Sequence, residues 1–268
     1  KSFKTEFIKH YKEKLEALGF IKVKGSQPYF VRIVNNEILH VITYMETPSI
    51  EYGYKAFHLM CGIATVYRKE INFDVSPKHN SDWLVALGTI NEKKETEYPM
   101  VTLPRNHMIY NYNLENMSEV LDNAWDGIKV LINEMDKVLD MDGVLWYLLK
   151  YNARNVTFRR GLDNSYFDEE GLFFSRKGYE FSKIAKVFER KRKELRNSAI
   201  SELEKREWAD SIEAHEHDMK EAKERFVENE EIYQVGMKLL ERQYEVNCEK
   251  LNEYGIRIEK RDLLFQNN

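Results

Sequence analysis

The sequence predicts an α+β protein, with a small antiparallel sheet of about four strands flanked by helices and then a mostly helical region. Apolar residues recur at three- and four-residue spacing near the start of the chain and again over 116–150, whereas they alternate or run together between these segments. From about residue 183 onward almost every segment has a helical pattern. We therefore expect an α+β domain over 1–153, an irregular connector over 154–182, and a helical region of helical-hairpin or coiled-coil type over 183–268.

Composition limits the class of protein. The 268 residues include 41 Lys and Arg against 45 Asp and Glu, a net charge of −4, which favours neither nucleic acid nor an anionic membrane as partner. The sequence contains no apolar run long enough to cross a membrane, and its first residues lack the apolar core of a signal peptide. Cys61 and Cys248 lie far apart and do not make a disulfide framework. We expect a cytoplasmic protein in a reducing compartment, with no membrane partner.

The first elements are marked by a change of period. An amphipathic helix is predicted at the start of the chain, with Gly19 at the left-handed position that ends it. From residue 20 the pattern is that of strands, and Asn35-Asn36 is predicted to supply a two-residue hairpin turn because Asn tolerates positive φ. Residues 56–67 are apolar on both faces, which predicts a sheet covered on both sides. The apolar face of the helix consists of Phe3, Phe7, Ile8, Tyr11, Leu15 and Leu18.

The rest of the first domain is predicted to contain loops and then two helices. Residues 72–113 have a mixed pattern, and we expect loops with one short element. Asn116, followed three residues later by Glu119, resembles a capping box and opens a strong helical pattern. A second, shorter helix is expected to start near Asp142, which would serve as its N-cap.

Charge divides the helical region into two halves. Residues 182–206 contain nine Lys or Arg and four Asp or Glu, whereas 207–231 contain three and ten. Helices of opposite charge can pack antiparallel, so we expect them to pair with each other or with another copy of the chain. The apolar residues expected at this contact are Ile184, Phe188, Leu195, Leu203, Ile212, Met219 and Phe226.

A resemblance to a known family covers about residues 3–150. It depends on the order of a helix ending in Leu18-Gly19-Phe20, the strands PYFVRIV, EILHVITY and AFHLMCGIATVY, and the helix pair at 116–150. This order resembles bacterial proteins of the domain of unknown function 4304 family. The resemblance implies a small antiparallel sheet flanked by helices, and it implies no activity and no functional residues.

Histidine pairs are the first candidates for a metal or catalytic site. His40 and His58 lie on neighbouring predicted strands, where two imidazoles could hold a metal or act as acid and base. A hairpin centred near residue 50 would place the two side chains away from each other. His215 and His217 are two positions apart on a predicted helix, about 200° around its axis, so they do not converge.

The remaining candidates also have simpler explanations. Asp140 and Asp142 resemble the start of a cation-binding loop, but the later ligands of such a loop are missing. Cys61, within an apolar strand, is interpreted as a small buried hydrophobic residue. The sequence has no nucleophile, phosphate-loop or zinc motif. We therefore predict no catalytic residue, no cofactor-binding residue and no metal ligand.

Three classes of function stay open. Tyr52 and Tyr54 in the loop EYGY, together with Tyr110 and Tyr112, are predicted to bind a protein partner, although ordinary packing would also account for them. We thus expect a non-catalytic protein-binding or regulatory module, of the immunity or inhibitor type, that has a protein partner or self-associates. The first alternative is a hydrolase-like enzyme with a site assembled from scattered residues.

The second alternative is a nucleic-acid binder. Residues 186–196 are locally basic, and aromatic residues on the predicted strands could stack on bases. The acidic residues that follow this basic run, and the need to fill a core, explain both features more simply. We do not expect nucleic acid to be the partner.

Overall fold

The structure is a computed structural model that describes residues 2–49, 51–68, 71–80, 84–87, 100–102, 108–140, 143–144, 147, 181–197 and 230–259, with separate positions between 201 and 220. The helices are α1 (Phe3–Glu16), α2 (Met117–Met135), α3 (Phe181–Arg196) and α4 (Glu230–Glu253), and Pro77–Asn80 forms a 3-10 helix. The strands are β1 (Ile21–Lys22), β2 (Phe30–Val34), β3 (Ile38–Pro48), β4 (Lys55–Thr65), β5 (Leu84–Ala86), β6 (Met100–Thr102) and β7 (Met108–Tyr112).

One antiparallel sheet contains the seven strands of the described residues. The order is β1-β2-β3-β4-β7-β6, and β5 also pairs with β4. The α+β class with an antiparallel sheet is therefore confirmed, whereas the predicted number of about four strands is too low. The additional strands, β5, β6 and β7, lie within 72–113, where only one short element was expected, and have only three to five residues each. So short a segment has no period that separates it from a loop.

Helix α1 begins and ends as predicted. The Ser2 hydroxyl accepts a hydrogen bond from Thr5 N at 3.3 Å, and Gly19 has a φ of 82°. Phe20 N then donates to Leu15 O at 3.0 Å, the bond expected of a helix that ends through a left-handed glycine. Leu18 lies in this turn and is exposed, which corrects its predicted place on the apolar face.

The turn between β2 and β3 lies at the two asparagines, as predicted, but three residues, 35–37, and not two separate the paired strand ends Val34 and Ile38. Asn35 and Asn36 have φ values of 52° and 62°, and Glu37 N donates to Val34 O at 3.1 Å across the turn. The register that follows places Arg32 opposite His40. A change of one residue in this register would turn every side chain of β2 to the other face.

Aromatic rings hold α1 against one face of the sheet. The ring of Phe3 stacks on that of Tyr112, with centroids 4.3 Å apart, and lies 4.6 Å from that of Phe57. The hydroxyl of Tyr11 donates to Leu121 O, which fixes α1 to α2. On β4, every residue after Lys55 is buried, so the prediction that both faces of the sheet are covered is confirmed.

Helix α2 begins at the predicted place but is capped differently. Asn116 is the N-cap residue, yet its side chain makes no bond to the helix and instead accepts from Asn113 N at 2.8 Å, which corrects the predicted capping box. Asp140 Oδ1 accepts from Gly143 N at 2.8 Å. Asp142, the predicted N-cap of the second helix, lies outside the described residues.

Gly127 is the point of closest approach between α2 and the sheet. A Cβ atom at this position would lie 2.5 Å from the Tyr110 hydroxyl, 2.7 Å from Leu87 Cδ2 and 2.9 Å from Leu59 Cδ1. All three side chains are buried, so none can move aside into solvent. Only glycine fits between α2 and these side chains.

We predict that Gly127→Ala lowers the free energy of unfolding by about 2 kcal/mol, because the added methyl group overpacks a closed core. In an unobstructed helix, Gly→Ala would instead raise the free energy of unfolding by about 1 kcal/mol. Denaturant unfolding of G127A, Y110F and the double variant tests this. The double variant should recover part of the loss, since Tyr110→Phe removes the nearest atom, and strictly additive losses would contradict the packing explanation.

The chain divides into two compact units, each discontinuous in sequence. Unit 1 consists of Lys1–Ala64, Asn72–Leu139 and Leu251–Arg257. Unit 2 consists of Thr65–Ile71, Asp140–Lys250 and Ile258–Asn268. The predicted connector, 154–182, lies almost entirely outside the described residues, so the predicted domain limits stay a prediction.

The late segment of unit 1 is tied to earlier parts of the same unit through Tyr254. Its hydroxyl donates to Asp74 Oδ2 at 2.9 Å and accepts from Phe73 N at 3.2 Å. Its carbonyl oxygen accepts from Lys24 N at 2.9 Å. Burial, and then the hydrogen bond to Asp74, raise the pKa of Tyr254 to about 12, so the hydroxyl stays protonated and able to donate.

In unit 2, the described residues from 181 onward are largely helical, as predicted for this region. Arg192 and Glu216 form a two-bond ion pair that joins the basic half to the acidic half. Of the residues expected at the helix contact, Phe188, Leu195 and Ile212 are buried, whereas Leu203 is 68% exposed and corrects the prediction. The other side chains of that set are outside the description.

Helix α4 is anchored within unit 2 by Asn247. The buried side-chain amide donates to Val66 O at 2.6 Å and to Arg68 O at 2.7 Å. One turn earlier on the helix, the ring of Tyr244 stacks on Tyr67 with centroids 5.2 Å apart. The segment that follows β4 thus packs on α4.

We predict that Asn247→Asp lowers the free energy of unfolding by about 3 kcal/mol, because a carboxylate cannot donate and would face two carbonyl oxygens. Gln234→Glu, the same chemical change at an exposed position of the same helix, should change it by less than about 0.5 kcal/mol. Denaturant unfolding monitored by circular dichroism measures both. Equal losses in the two variants would contradict the anchoring role of Asn247.

Candidate functional site

The four tyrosines predicted to bind a partner fall into two groups. Tyr52 is fully exposed and Tyr54 is 38% exposed, both at the tip of the β3–β4 hairpin. Tyr110 and Tyr112 lie on β7 and are only 1% and 2% exposed. Their rings pack against Phe57 or Phe3, so of the four only Tyr52 and Tyr54 offer a ring that a partner could cover.

The described residues of the hairpin tip, Ser49 and Glu51–Tyr54, are linked by local hydrogen bonds. The Ser49 hydroxyl donates to Asn111 Oδ1 of β7 at 3.0 Å and accepts from Glu51 N at 3.0 Å. Tyr54 N donates to Glu51 O at 3.2 Å, and Gly53 has a φ of 81° that suits glycine. Tyr52 is thus presented on a closed turn.

An open cleft of about 970 Å³ adjoins the hairpin tip. Its walls come from the first turn of α1, the end of β3, the start of β4, the 3-10 helix and the link between β7 and α2. Gly53 of the tip lines it, as do aromatic side chains from three of these elements. These aromatic residues are Phe3, Tyr44 and Tyr112.

The best-defined polar contact of the cleft joins Tyr112 to Glu46. The Tyr112 hydroxyl donates to Glu46 Oε1 at 3.3 Å. Burial, and then the charge of Glu46, raise the pKa of Tyr112 well above its ordinary value, and the same two causes raise the pKa of Tyr44. Both hydroxyls are therefore protonated at neutral pH and can only act as neutral donors or acceptors.

Three lysines and two glutamates supply the charges of the cleft. Lys4 comes from α1, Lys55 from β4 and Lys78 from the 3-10 helix. Glu46 and Glu115 are the acidic residues of its lining. Glu46 already accepts from Tyr112, so the lysines are the groups best placed to attract a charged ligand.

His40 belongs to a buried cluster away from the cleft. Its Nε2 donates to Val138 O at 2.8 Å, and its Nδ1 accepts from Arg32 Nε at 3.2 Å. Arg32 also pairs with Asp136 and donates to Leu18 O at 3.3 Å. Burial, and then the Arg32 charge, lower the pKa of His40 to about 4, so the imidazole is neutral at pH 7. The cluster fixes α1 and α2 to the sheet.

The other candidate residues do not converge on the cleft. His40 and Tyr44 share one face of β3, and His58 lies on the opposite face of the sheet because its neighbour Phe57 packs with Tyr44. Cys61 is a buried thiol in β4. Among the described residues, no three His, Cys, Asp or Glu side chains are placed to hold a metal ion. His215 lies outside the description.

The residues that the sequence analysis missed come from separate segments. Lys4, Lys55 and Lys78 have no common spacing, and nothing in their neighbours distinguishes them from solvent-exposed lysines. Arg32 did have a signal, because the asparagine turn places it opposite residue 39 or 40 depending on loop length. That difference of one residue decides whether Arg32 and His40 meet.

Comparisons with protein-family models, curated proteins and solved structures find no match to this chain. The resemblance to the domain of unknown function 4304 family therefore stays a prediction. Among the described helices, none has the length and apolar character needed to cross a membrane.

We predict that the free energy of unfolding depends on pH because His40 binds a proton more readily in the unfolded chain. Its pKa lies near the ordinary value of about 6.5 when the chain is unfolded and at about 4 when it is folded, so the unfolded chain binds a proton first. The folded state should lose on the order of 3 kcal/mol as the pH falls from 6.5 to 4, with no further loss from His40 below that.

His40→Gln is the control for this prediction, because its amide can donate to Val138 O and has no proton to gain. The unmodified chain should be the more stable of the two at pH 7, and its advantage should shrink on acidification as His40 becomes protonated on unfolding. The measurement is denaturant unfolding of both chains at several pH values. A constant difference between pH 7 and 4 would show that His40 is not buried as a neutral imidazole.

Proposed function

We propose that this chain is a non-catalytic protein-binding module of a regulatory kind, such as an inhibitor or immunity protein. The single observation that carries the proposal is the full exposure of the Tyr52 ring on a hydrogen-bonded turn. Tyrosine is enriched among the residues that dominate protein interfaces, because its ring buries a large area and its hydroxyl bonds at the rim.

The held conformation of the hairpin tip strengthens this argument. Binding costs free energy when a loop must be ordered, and the bonds of Ser49 and Glu51 order this turn beforehand. An exposed tyrosine on a mobile loop would lose much of its contact energy to that ordering. Here the turn is already ordered, so Tyr52 and the partly exposed Tyr54 can contact a partner without that cost in free energy.

The cleft extends the proposed surface. Gly53 and Lys55 belong both to the neighbourhood of the hairpin tip and to the lining of the cleft, so a partner that covers Tyr52 also reaches the cleft. The exposed side chain of Leu114 lies on the cleft lining as well. An interface of standard size buries about 800 Å² on each partner, which requires more than one loop.

A helical-hairpin or coiled-coil-like arrangement of 183–268 is a second part of the proposal. The Arg192–Glu216 pair and the burial of Phe188 and Ile212 support helices that pack on each other within unit 2. The alternative prediction for this region is that its helices pair with those of another copy of the chain. The hydrolase and nucleic-acid alternatives stay predictions as well.

We predict that Tyr52→Ala and Tyr54→Ala together reduce recovery of the protein partner at least tenfold, since a tyrosine that dominates an interface contributes about 2 kcal/mol or more, about thirtyfold in affinity. The measurement is affinity capture from the organism that makes the protein, followed by quantitative mass spectrometry. The matched control is Leu139→Ala, which removes another exposed apolar side chain of unit 1, beside the β2–β3 turn.

The double tyrosine variant should keep its melting temperature within about 2 °C, because Tyr52 makes no packing contact that the fold needs. A partner recovered equally by the double variant and by the unmodified chain would contradict the proposed surface. Failure to recover any specific partner with the unmodified chain would contradict the proposed function itself.

A further inference from the structure

The cleft beside the hairpin tip has an excess of ammonium groups that carboxylates do not neutralise. Lys4, Lys55 and Lys78 line it, and within the described part of the chain none of the three forms an ion pair. Other exposed lysines of unit 1 do pair, as Lys12 does with Glu16 and Lys129 does with Asp126. The lysines of the cleft are therefore left with charge to offer a ligand.

A fourth lysine, Lys22 at the end of β1, adds to this positive potential. The Lys22 ammonium donates to Val23 O and Gly25 O, two residues before Gln27 of the cleft lining. Burial, and then the charge of Lys4, lower the pKa of Lys22. Lys22 and Lys4 are therefore close enough for their positive charges to interact.

The lining also determines which kind of anion suits the cleft. The three lysines come from three different elements, and aromatic and apolar side chains lie among them. Such an arrangement suits an extended segment that alternates carboxylates with apolar side chains. Glu46 and Glu115 would repel a nucleic-acid backbone, which carries a charge at every nucleotide, more than they would repel well-spaced carboxylates.

We propose that the cleft binds an acidic segment of the protein partner, with Asp or Glu carboxylates against Lys4, Lys55 and Lys78 and an apolar side chain against the exposed Leu114. This inference depends on the proposed protein-binding function and names the chemistry of the segment that is recognised. Tyr52 then contacts the partner at the hairpin tip while the acidic segment lies in the cleft.

The test uses defined peptide probes and the full chain. The acidic probe is a fluorescent peptide of about ten residues that alternates Glu with Leu or Gly, and its matched forms carry Gln or Lys in place of Glu. Fluorescence anisotropy at low salt measures binding, because such charge contacts weaken as ionic strength rises. We expect the acidic peptide to bind, and to bind about tenfold more tightly than the Gln or Lys form.

Charge variants locate the binding. The triple variant K4Q/K55Q/K78Q should lose about tenfold in affinity for the acidic peptide, whereas K9Q/K12Q/K129Q, with the same change of net charge away from the cleft, should lose less than about twofold. Glu115→Gln, at an exposed position of the lining, should instead raise the affinity about twofold. Equal losses in the two triple variants, or no binding of the acidic peptide, would overturn the inference.

Two further ligands separate a peptide segment from other anions. Inorganic phosphate that displaces the peptide at low millimolar concentration would show a free-anion site, and a single-stranded oligonucleotide that binds more tightly than the peptide would show a nucleic-acid site. Either result overturns the inference. If Y52A/Y54A loses the captured partner while K4Q/K55Q/K78Q retains it fully, the proposed function stands and the acidic segment is refuted.

Discussion

The long strand β4 has no polar face, so both of its sides must be covered by other parts of the chain. On one side, the aromatic rings of α1 and the glycine of α2 at position 127 allow the helices to approach closely. Hydrogen bonds from β3, β7 and β5 satisfy its backbone laterally. Since α1, β3, β4 and β7 also form the cleft, the burial of β4 indirectly places the candidate site.

Helices and turns that depend on residues close together in the sequence could be predicted from short sequence signals. The helical spacing and Gly19 predicted α1, and Asn35-Asn36 predicted the first hairpin. By contrast, β5 to β7 are too short to have a period of their own, and their strand pairing, of β5 and β7 with β4 and of β6 with β7, is made with segments distant in sequence or equally short. Likewise, Tyr112 is buried against Phe3 and Phe57, which are distant in sequence, so its neighbours along the chain do not indicate its burial.

The candidate site also has one part that a short sequence signal predicts and one part that depends on tertiary structure. The exposed tyrosines of the hairpin tip could be predicted because a turn motif between two strands implies exposure. The cleft could not, because its lysines come from three separate elements that only the folded chain brings together. The tyrosine hydroxyls of the cleft are neutral at pH 7, and burial raises their pKa further, so the charged groups of the cleft are its lysines and glutamates.

The interleaving of the two units bears on how the protein folds during synthesis. Residues 251–257 leave the ribosome after most of unit 2 has been made, yet Tyr254 bonds to Phe73, Asp74 and Lys24 of unit 1. Unit 1 therefore cannot finish packing before most of unit 2 has been synthesised. Until that late segment arrives, the loop that carries Asp74 lacks its tyrosine partner, and the nascent chain exposes the apolar surface that this tyrosine covers on Phe73.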